Sequence, residues 1–264
     1  MRLKILHRTE YSYDAPLSYA LQRIRLTPQS GQAQTVRNWT IKIAGASEEV
    51  RYVDGFGNET RLLSIEANTR EVSVEASGEV DTKDTTGVSG PHRGLAPLWL
   101  FGQPTALTAA GAGLQAMAAE LGEGDDLARL HRLMDTIADR VPYQAGWTVA
   151  ATPAEEALSL SAGVCQDHAH IFIAIARLAG FPARYVSGYL MKEGENDQAA
   201  SHAWAEAHVR GLGWVGFDPS NCMSPDETYV TLATGRDYRD AAPVSGIRLG
   251  QAVEKLAVHI TVEQ

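Results

Sequence analysis

A single cysteine stands where a turn gives way to an apolar run, in Gly163-Val164-Cys165-Gln166-Asp167-His168-Ala169-His170. Downstream, Ser201-His202-Ala203-Trp204-Ala205-Glu206 supplies an imidazole, and Trp214-Val215-Gly216-Phe217-Asp218-Pro219-Ser220 a carboxylate. A thiol attacks well only as its thiolate, a form that a helix N-terminus and a neighbouring histidine both favour. Residues of these three types are the parts of an activated sulfur nucleophile. The chain reads as a thiol acyl-transfer enzyme.

The position of each residue suggests its task. Cys165 falls in the first turn of its expected helix, where unpaired backbone N–H groups stabilise a thiolate and the oxyanion formed when it attacks a carbonyl. As a strand, the run from His202 puts Ala203, Ala205 and Ala207 on one face, fit to pack closely on the cysteine helix. The other face carries His202, Trp204, Glu206 and His208. His202 and Asp218 lie equidistant from Arg210, so a hairpin turning near Arg210–Leu212 brings them together, with one or two residues of register open. Asp218 then orients the imidazole and steadies its protonated form. Glu206 is the rival carboxylate, but a cross-strand partner reaches the ring edge more readily than a same-strand neighbour.

Other polar groups have lesser roles to fill. Asp167 suits a cap for the cysteine helix. A second oxyanion donor is sought in Val141-Pro142-Tyr143-Gln144-Ala145-Gly146-Trp147-Thr148, with Gln144 or Tyr143 as candidates, and Trp204 and Trp214 are candidate walls of the site. His168 and His170, two apart on a helix, point to different faces and cannot chelate one ion as an i, i+4 pair would. No metal and no cofactor is expected.

These residues need elements to hold them. The first eighty or so residues favour short strands, at Leu3–Tyr13, Trp39–Ile43, Thr60–Ile65 and Glu71–Ser77, separated by Pro-, Gly- and Asp-rich turns, as in a small β-sandwich. Residues 86–104 turn to Gly, Pro, Ser and Thr and read as a linker. Two helical stripes follow, Leu107–Leu121 and Leu127–Ile137, with Asp125-Asp126 placed to cap the second. The Cys165–Ala179 run is apolar on most faces and is stopped by Gly180-Phe181-Pro182. Strand-like runs cover Ala183–Leu190, His202–Val209 and Trp214–Phe217, and a last strand at 255–263 is able to join either unit. The expected organisation is a β domain over 1–85, a linker over 86–104 and a catalytic unit over 105–264.

Composition narrows the setting. The chain has 264 residues, 44% of them hydrophobic, which is ample for a globular core. Its net charge of −9, with no basic run interleaved with aromatics, argues against nucleic-acid binding and against anionic membrane surfaces. Two cysteines in a chain this long do not make a secreted disulfide scaffold. The apolar part of the N-terminus is too short for a signal peptide and no run is long enough to span a bilayer, so a cytoplasmic setting is expected.

The motifs G-x-C-x-D at Gly163–Asp167, H-A-W-x-E at His202–Glu206 and W-x-x-F-D-P-S at Trp214–Ser220 resemble, in order and character, the transglutaminase-like superfamily of papain-type cysteine enzymes. Phe181–Leu190 and Gly235–Asp240 look like its bacterial branch, as do His7–Tyr13, Arg25–Pro28 and Phe56–Asn58 near the N-terminus. The resemblance implies an α+β chain, an N-terminal antiparallel β-sandwich followed by a papain-like core of helices on an antiparallel sheet. It makes Cys165, His202 and Asp218 the nucleophile, base and orienting acid, with no calcium site to carry over. Members include proteases, amidases and transglutaminases, all beginning with attack on an amide carbonyl. Hydrolysis of peptide or protein amides is the leading expectation. Isopeptide transfer to an amine and a silent binding module are the alternatives, and the β domain is left to hold substrate, shape the cleft or mediate self-association.

Overall fold

Alternation of apolar and polar residues sets the first sheets. In the computed structural model, which describes residues 1–192, 194, 197–250 and 252–264, six strands come first. They are β1 (Arg2–Tyr13), β2 (Tyr19–Thr27), β3 (Gln34–Ala44), β4 (Ala46–Val53), β5 (Glu59–Ile65) and β6 (Glu71–Thr82). In β1 the residues Leu3, Ile5, His7 and Thr9 turn inward while Arg2, Lys4, Arg8 and Glu10 face out. This is the period-2 pattern of a strand with one wet face. β2 carries Gln22 among its inward residues, and β4 is exposed on both faces over most of its length. Neither shows clean alternation, which is why only four of the six strands are visible in the sequence.

The expected linker is built into the molecule instead. It contributes a short strand, β7 (Val88–Gly90), and a 3₁₀ turn at Leu98–Gly102 whose Phe101 is buried against Trp214. Four helices follow, α1 (Ala112–Ala119), α2 (Asp126–Arg140), α3 (Ala154–Leu160) and α4 (Cys165–Leu178). Asp125 caps α2 by accepting from the Ala128 amide at 2.9 Å. Then come β8 (Ala183–Leu190), β9 (Asp197–Gln198), β10 (His202–Val209), β11 (Gly213–Phe217), β12 (Tyr229–Gly235), α5 (Tyr238–Ala241), β13 (Val244–Leu249) and β14 (Glu254–Glu263). Among the described residues no helix is long and apolar enough to cross a membrane.

Among the described residues the strands form three antiparallel sheets. One runs β3-β6-β1-β14-β9 and another β13-β2-β5-β4, and the pair share a core of Leu3, Ile5, Ile24, Leu26 and Leu63. The last two strands of the chain thus return to complete the N-terminal sandwich: β14 pairs with β1 and β13 with β2. The apolar inner residues Ile260 and Val262 make β14 a natural partner for that core.

The third sheet, β12-β8-β10-β11-β7, carries the site. Helix α4, buried from Asp167 to Arg177, lies on it, with Ala203, Ala205 and Ala207 in the same core as Ile171, Phe172 and Ile175. The small side chains let the helix approach closely, as their alternation predicts. Phe172 stacks on Phe217 with centroids 4.9 Å apart.

The sandwich grips this sheet by its free edge. Gln34 brackets the Thr231 backbone, its Nε2 donating to the carbonyl at 2.8 Å and its Oε1 accepting from the amide at 2.7 Å. Asn58 does the same for Thr234, at 2.8 Å in both directions. Two buried side-chain amides therefore stand in for a missing neighbour strand along β12.

Candidate active site

Cys165 is the first residue of α4, half-buried, with its sulfur opening into a cleft of about 440 Å³. The turn before it is fixed by Asp167, whose Oδ2 accepts from the Val164 amide at 2.8 Å and from Thr148 Oγ1 at 2.7 Å. A side chain at Gly163 would place its Cβ 2.8 Å from that of Asp167, so the first glycine of the motif makes room for the cap. The capping role read for Asp167 is the one the geometry gives it.

His202 opens β10 and lines the same cleft. The β10–β11 hairpin pairs Val209 with Gly213 and Ala205 with Phe217, centring its turn on Gly211, which takes φ +85°. This register, one residue beyond Arg210, extends to set Asp218 opposite Trp204 and diagonal to His202. His202 Nε2 donates to Asp218 Oδ2 at 2.6 Å. With Nε2 so engaged, Nδ1 is the nitrogen left to exchange a proton with sulfur.

Asp218 is completely buried, and its Oδ2 accepts two further hydrogen bonds, from Asn221 Nδ2 at 2.7 Å and Tyr229 Oη at 2.8 Å. The Ser220 amide donates to Oδ1 at 3.0 Å. Burial works against the carboxylate, but the His202, Asn221 and Tyr229 donors outweigh it and hold the Asp218 pKa below its ordinary value. Burial likewise opposes the charged imidazole; hydrogen bonding to Asp218 and to Cys165 reverses this and raises the His202 pKa to about 9. The resting site therefore favours an imidazolium against a buried carboxylate.

The remaining candidates separate. Tyr143 lines the cleft, tied to Gly163 by a parallel bridge, and burial and the Cys165 charge raise its pKa. Gln144 sits in the same segment but its side chain is exposed and does not line the cleft, and only its amide is used, donating to the Gly163 carbonyl at 2.7 Å. Trp204 lies behind His202 in a small core with Tyr229, its ring 6.2 Å from the imidazole, so it supports the histidine and does not face the cleft. Trp214 is buried beneath Arg184, on the far side of the sheet. Glu206 is spent on Arg184 at 2.5 Å and on Ser89, well away from His202.

The two helix histidines are framework. His168 donates from Nε2 to the Val141 carbonyl at 2.7 Å and accepts from Ser220 Oγ at 2.8 Å, and burial lowers its pKa. His170 accepts from the Tyr238 amide at 3.1 Å and is held neutral by burial, its pKa down to about 3. Among the described residues no cluster of three His, Cys, Asp or Glu side chains is disposed to hold a metal ion. A second hollow, about 580 Å³, lies on the outer face of the N-terminal sheet around Arg8, Glu10 and Lys255. Among the described residues neither cysteine nor histidine lines it.

Asn221 and Tyr229 are functional neighbours that motif reasoning missed. Asn221 directly follows the D-P-S triplet, whereas Tyr229 is brought in by the fold and has no local signal.

A cysteine at a helix N-terminus facing a histidine–aspartate pair, on an antiparallel sheet, is the arrangement of papain-type thiol enzymes. Comparisons with known proteins agree. Residues 115–219 match the model of the transglutaminase-like superfamily core, and residues 3–81 match the bacterial transglutaminase-like N-terminal region. The chain belongs to the transglutaminase-like superfamily. An uncharacterized protein of Mycobacterium leprae is 30% identical over 281 residues, covering 99% of this chain and 98% of the relative. A Pseudomonas aeruginosa protein-glutamine gamma-glutamyltransferase is 31% identical over 99 residues, 33% of this chain and 14% of that enzyme. A crystal structure from Cytophaga hutchinsonii, provisionally described as a cysteine protease, superposes with TM-score 0.80 at 24% identity, covering 100% of this chain and 90% of that one. The last likeness speaks for the fold.

Proposed function

We propose that the chain is a thiol-dependent hydrolase of peptide-type amides, a cysteine protease or amidase. The observation that carries this reading is the 2.6 Å contact between His202 and buried Asp218 beside the cleft that opens on Cys165. Cys165 Sγ attacks the amide carbonyl carbon while its proton resides on His202 Nδ1. The first-turn amides of α4, with the Tyr143 hydroxyl opposite, stabilise the developing oxyanion. His202 returns the proton to the departing amine, leaving a thioester on Cys165. Water, deprotonated by His202, then attacks the thioester and releases the carboxylate, and the thiol is restored.

Water is favoured as the second reactant because it is always present and, among the described residues, no carboxylate lines the cleft to draw in a cationic amine. Transfer to an amine is the second reading, supported by the partial similarity to the Pseudomonas aeruginosa transferase. In either case the substrate is a peptide or protein.

The test is turnover of peptide amides by the native chain and two variants. Cys165→Ser and His202→Ala should each lose at least about a thousandfold in kcat/KM with unchanged circular dichroism. Wild-type turnover in either folded variant would contradict the mechanism.

A further inference from the structure

Two hydroxyl groups beside the nucleophile have no hydrogen-bond partner among the described residues. Tyr185 and Ser187 lie two apart on β8, so both face the same side of the sheet, and both line the cleft. Each residue is only 2% exposed. Neither hydroxyl makes a hydrogen bond to any described residue, nor is either among the fully enclosed polar atoms left unpaired, so both open onto the cleft. With no partner among the described residues, each hydroxyl is available to a ligand group that replaces the water it meets in the cleft, for a modest net gain per hydrogen bond.

The tyrosine is held in place. Its ring tilts against His170 with centroids 5.1 Å apart and meets Tyr238 edge-on at 6.0 Å. Burial raises its pKa well above the ordinary value, so it remains a donor across the working range. Beside Ser187, the cross-strand neighbour is Ala203, whose small side chain leaves space above the serine.

The surroundings define the ligand. The described lining contains no Asp or Glu, and the α4 N-terminus directs partial positive charge into the same cleft. Among the described residues a cationic group meets no carboxylate there, whereas acceptor oxygens meet two hydroxyl donors. We propose that Tyr185 and Ser187 form a side-chain subsite that selects peptides carrying a carboxylate or carboxamide next to the attacked amide. This rests on the amide-hydrolase reading for the attacked bond, although binding at the subsite does not require turnover.

Equilibrium binding to Cys165→Ala separates the two. The probes are acetyl-Ala-X-Ala-amide peptides with X as Asn, Asp, Leu or Lys, the first three nearly equal in size. The Asn or Asp peptide should bind at least about fivefold more tightly than the Leu peptide, and the Lys peptide more weakly than either, one net hydrogen bond being worth about that factor. Which of Asn and Asp binds better distinguishes carboxamide from carboxylate. Tyr185→Phe and Ser187→Ala, each made on Cys165→Ala, should reduce the preference without changing the affinity for Leu. Equal affinity across the peptides, or a preference untouched by both substitutions, would overturn the subsite. A preference that is present while the native chain hydrolyses none of these peptides would overturn the hydrolase reading and leave the subsite standing.

Discussion

At the scale of single residues, the site is organised around one carboxylate oxygen. Asp218 Oδ2 accepts from His202, Asn221 and Tyr229 at once, which keeps it ionised in a setting that would otherwise protonate it. The carboxylate then holds the imidazole ring in one orientation and supports its positive charge. Because the His202 pKa is raised from 6.5 to about 9, kcat/KM should fall above pH about 9 as the imidazolium is lost. Asp218→Asn should retain partial activity and move that limb to lower pH, since a negative partner has been removed. An unmoved limb would show that Asp218 does not govern the histidine. The same shift bears on stability: the contribution of the charged pair is complete below pH 6.5 and is lost as pH rises through about 9. Tyr229→Phe leaves the buried carboxylate one donor short and should destabilise the chain by about 1–3 kcal/mol, read from the urea midpoint.

At the scale of elements, local pattern and tertiary context divide the work. The alanine alternation of β10, the hairpin about Gly211 and the cap at Asp167 follow from spacing alone, and this is why His202 and Asp218 were legible as neighbours. Other placements were not legible because they depend on distant chain. Gln144 suits a donor by residue type, but the segment presents its tyrosine to the cleft and its glutamine to solvent. Glu206 shares a strand face with His202, yet Arg184 on the adjacent strand claims it. The strand β12, which delivers Tyr229, is held by Gln34 and Asn58 from the sandwich. Asn58→Leu, by stranding both buried Thr234 backbone groups, should cost about 1–3 kcal/mol for each unpaired group. An unchanged urea midpoint would show that the edge is not held this way.

At the scale of the molecule, the chain closes on itself. Its α+β class was implied by the family resemblance and four of the six N-terminal strands by alternation, but the return of β13 and β14 to the sandwich was not legible, because a strand pattern carries no address. That return has a consequence for the cleft. β14 pairs Ile260 with Gln198 and Thr261 with Asp197, so the edge of the N-terminal sheet holds the strand that leads into the rim ahead of His202. A chain ending at Val253 should lose both the edge of β1 and the anchor of the rim. We expect a lower melting temperature and, in whatever fraction folds, a raised KM. Unchanged values for both would show that the sandwich and the cleft are independent.

The central claim is a thioester on Cys165 resolved by water. It is tested most directly by turning over a peptide amide in oxygen-18 water with a primary amine added, and weighing the products. The account predicts a carboxylic acid carrying one heavy oxygen as the main product, none of it formed by Cys165→Ser. Amine adduct in place of acid would assign the chain to transfer, and heavy acid formed equally by Cys165→Ser would contradict the thiol mechanism.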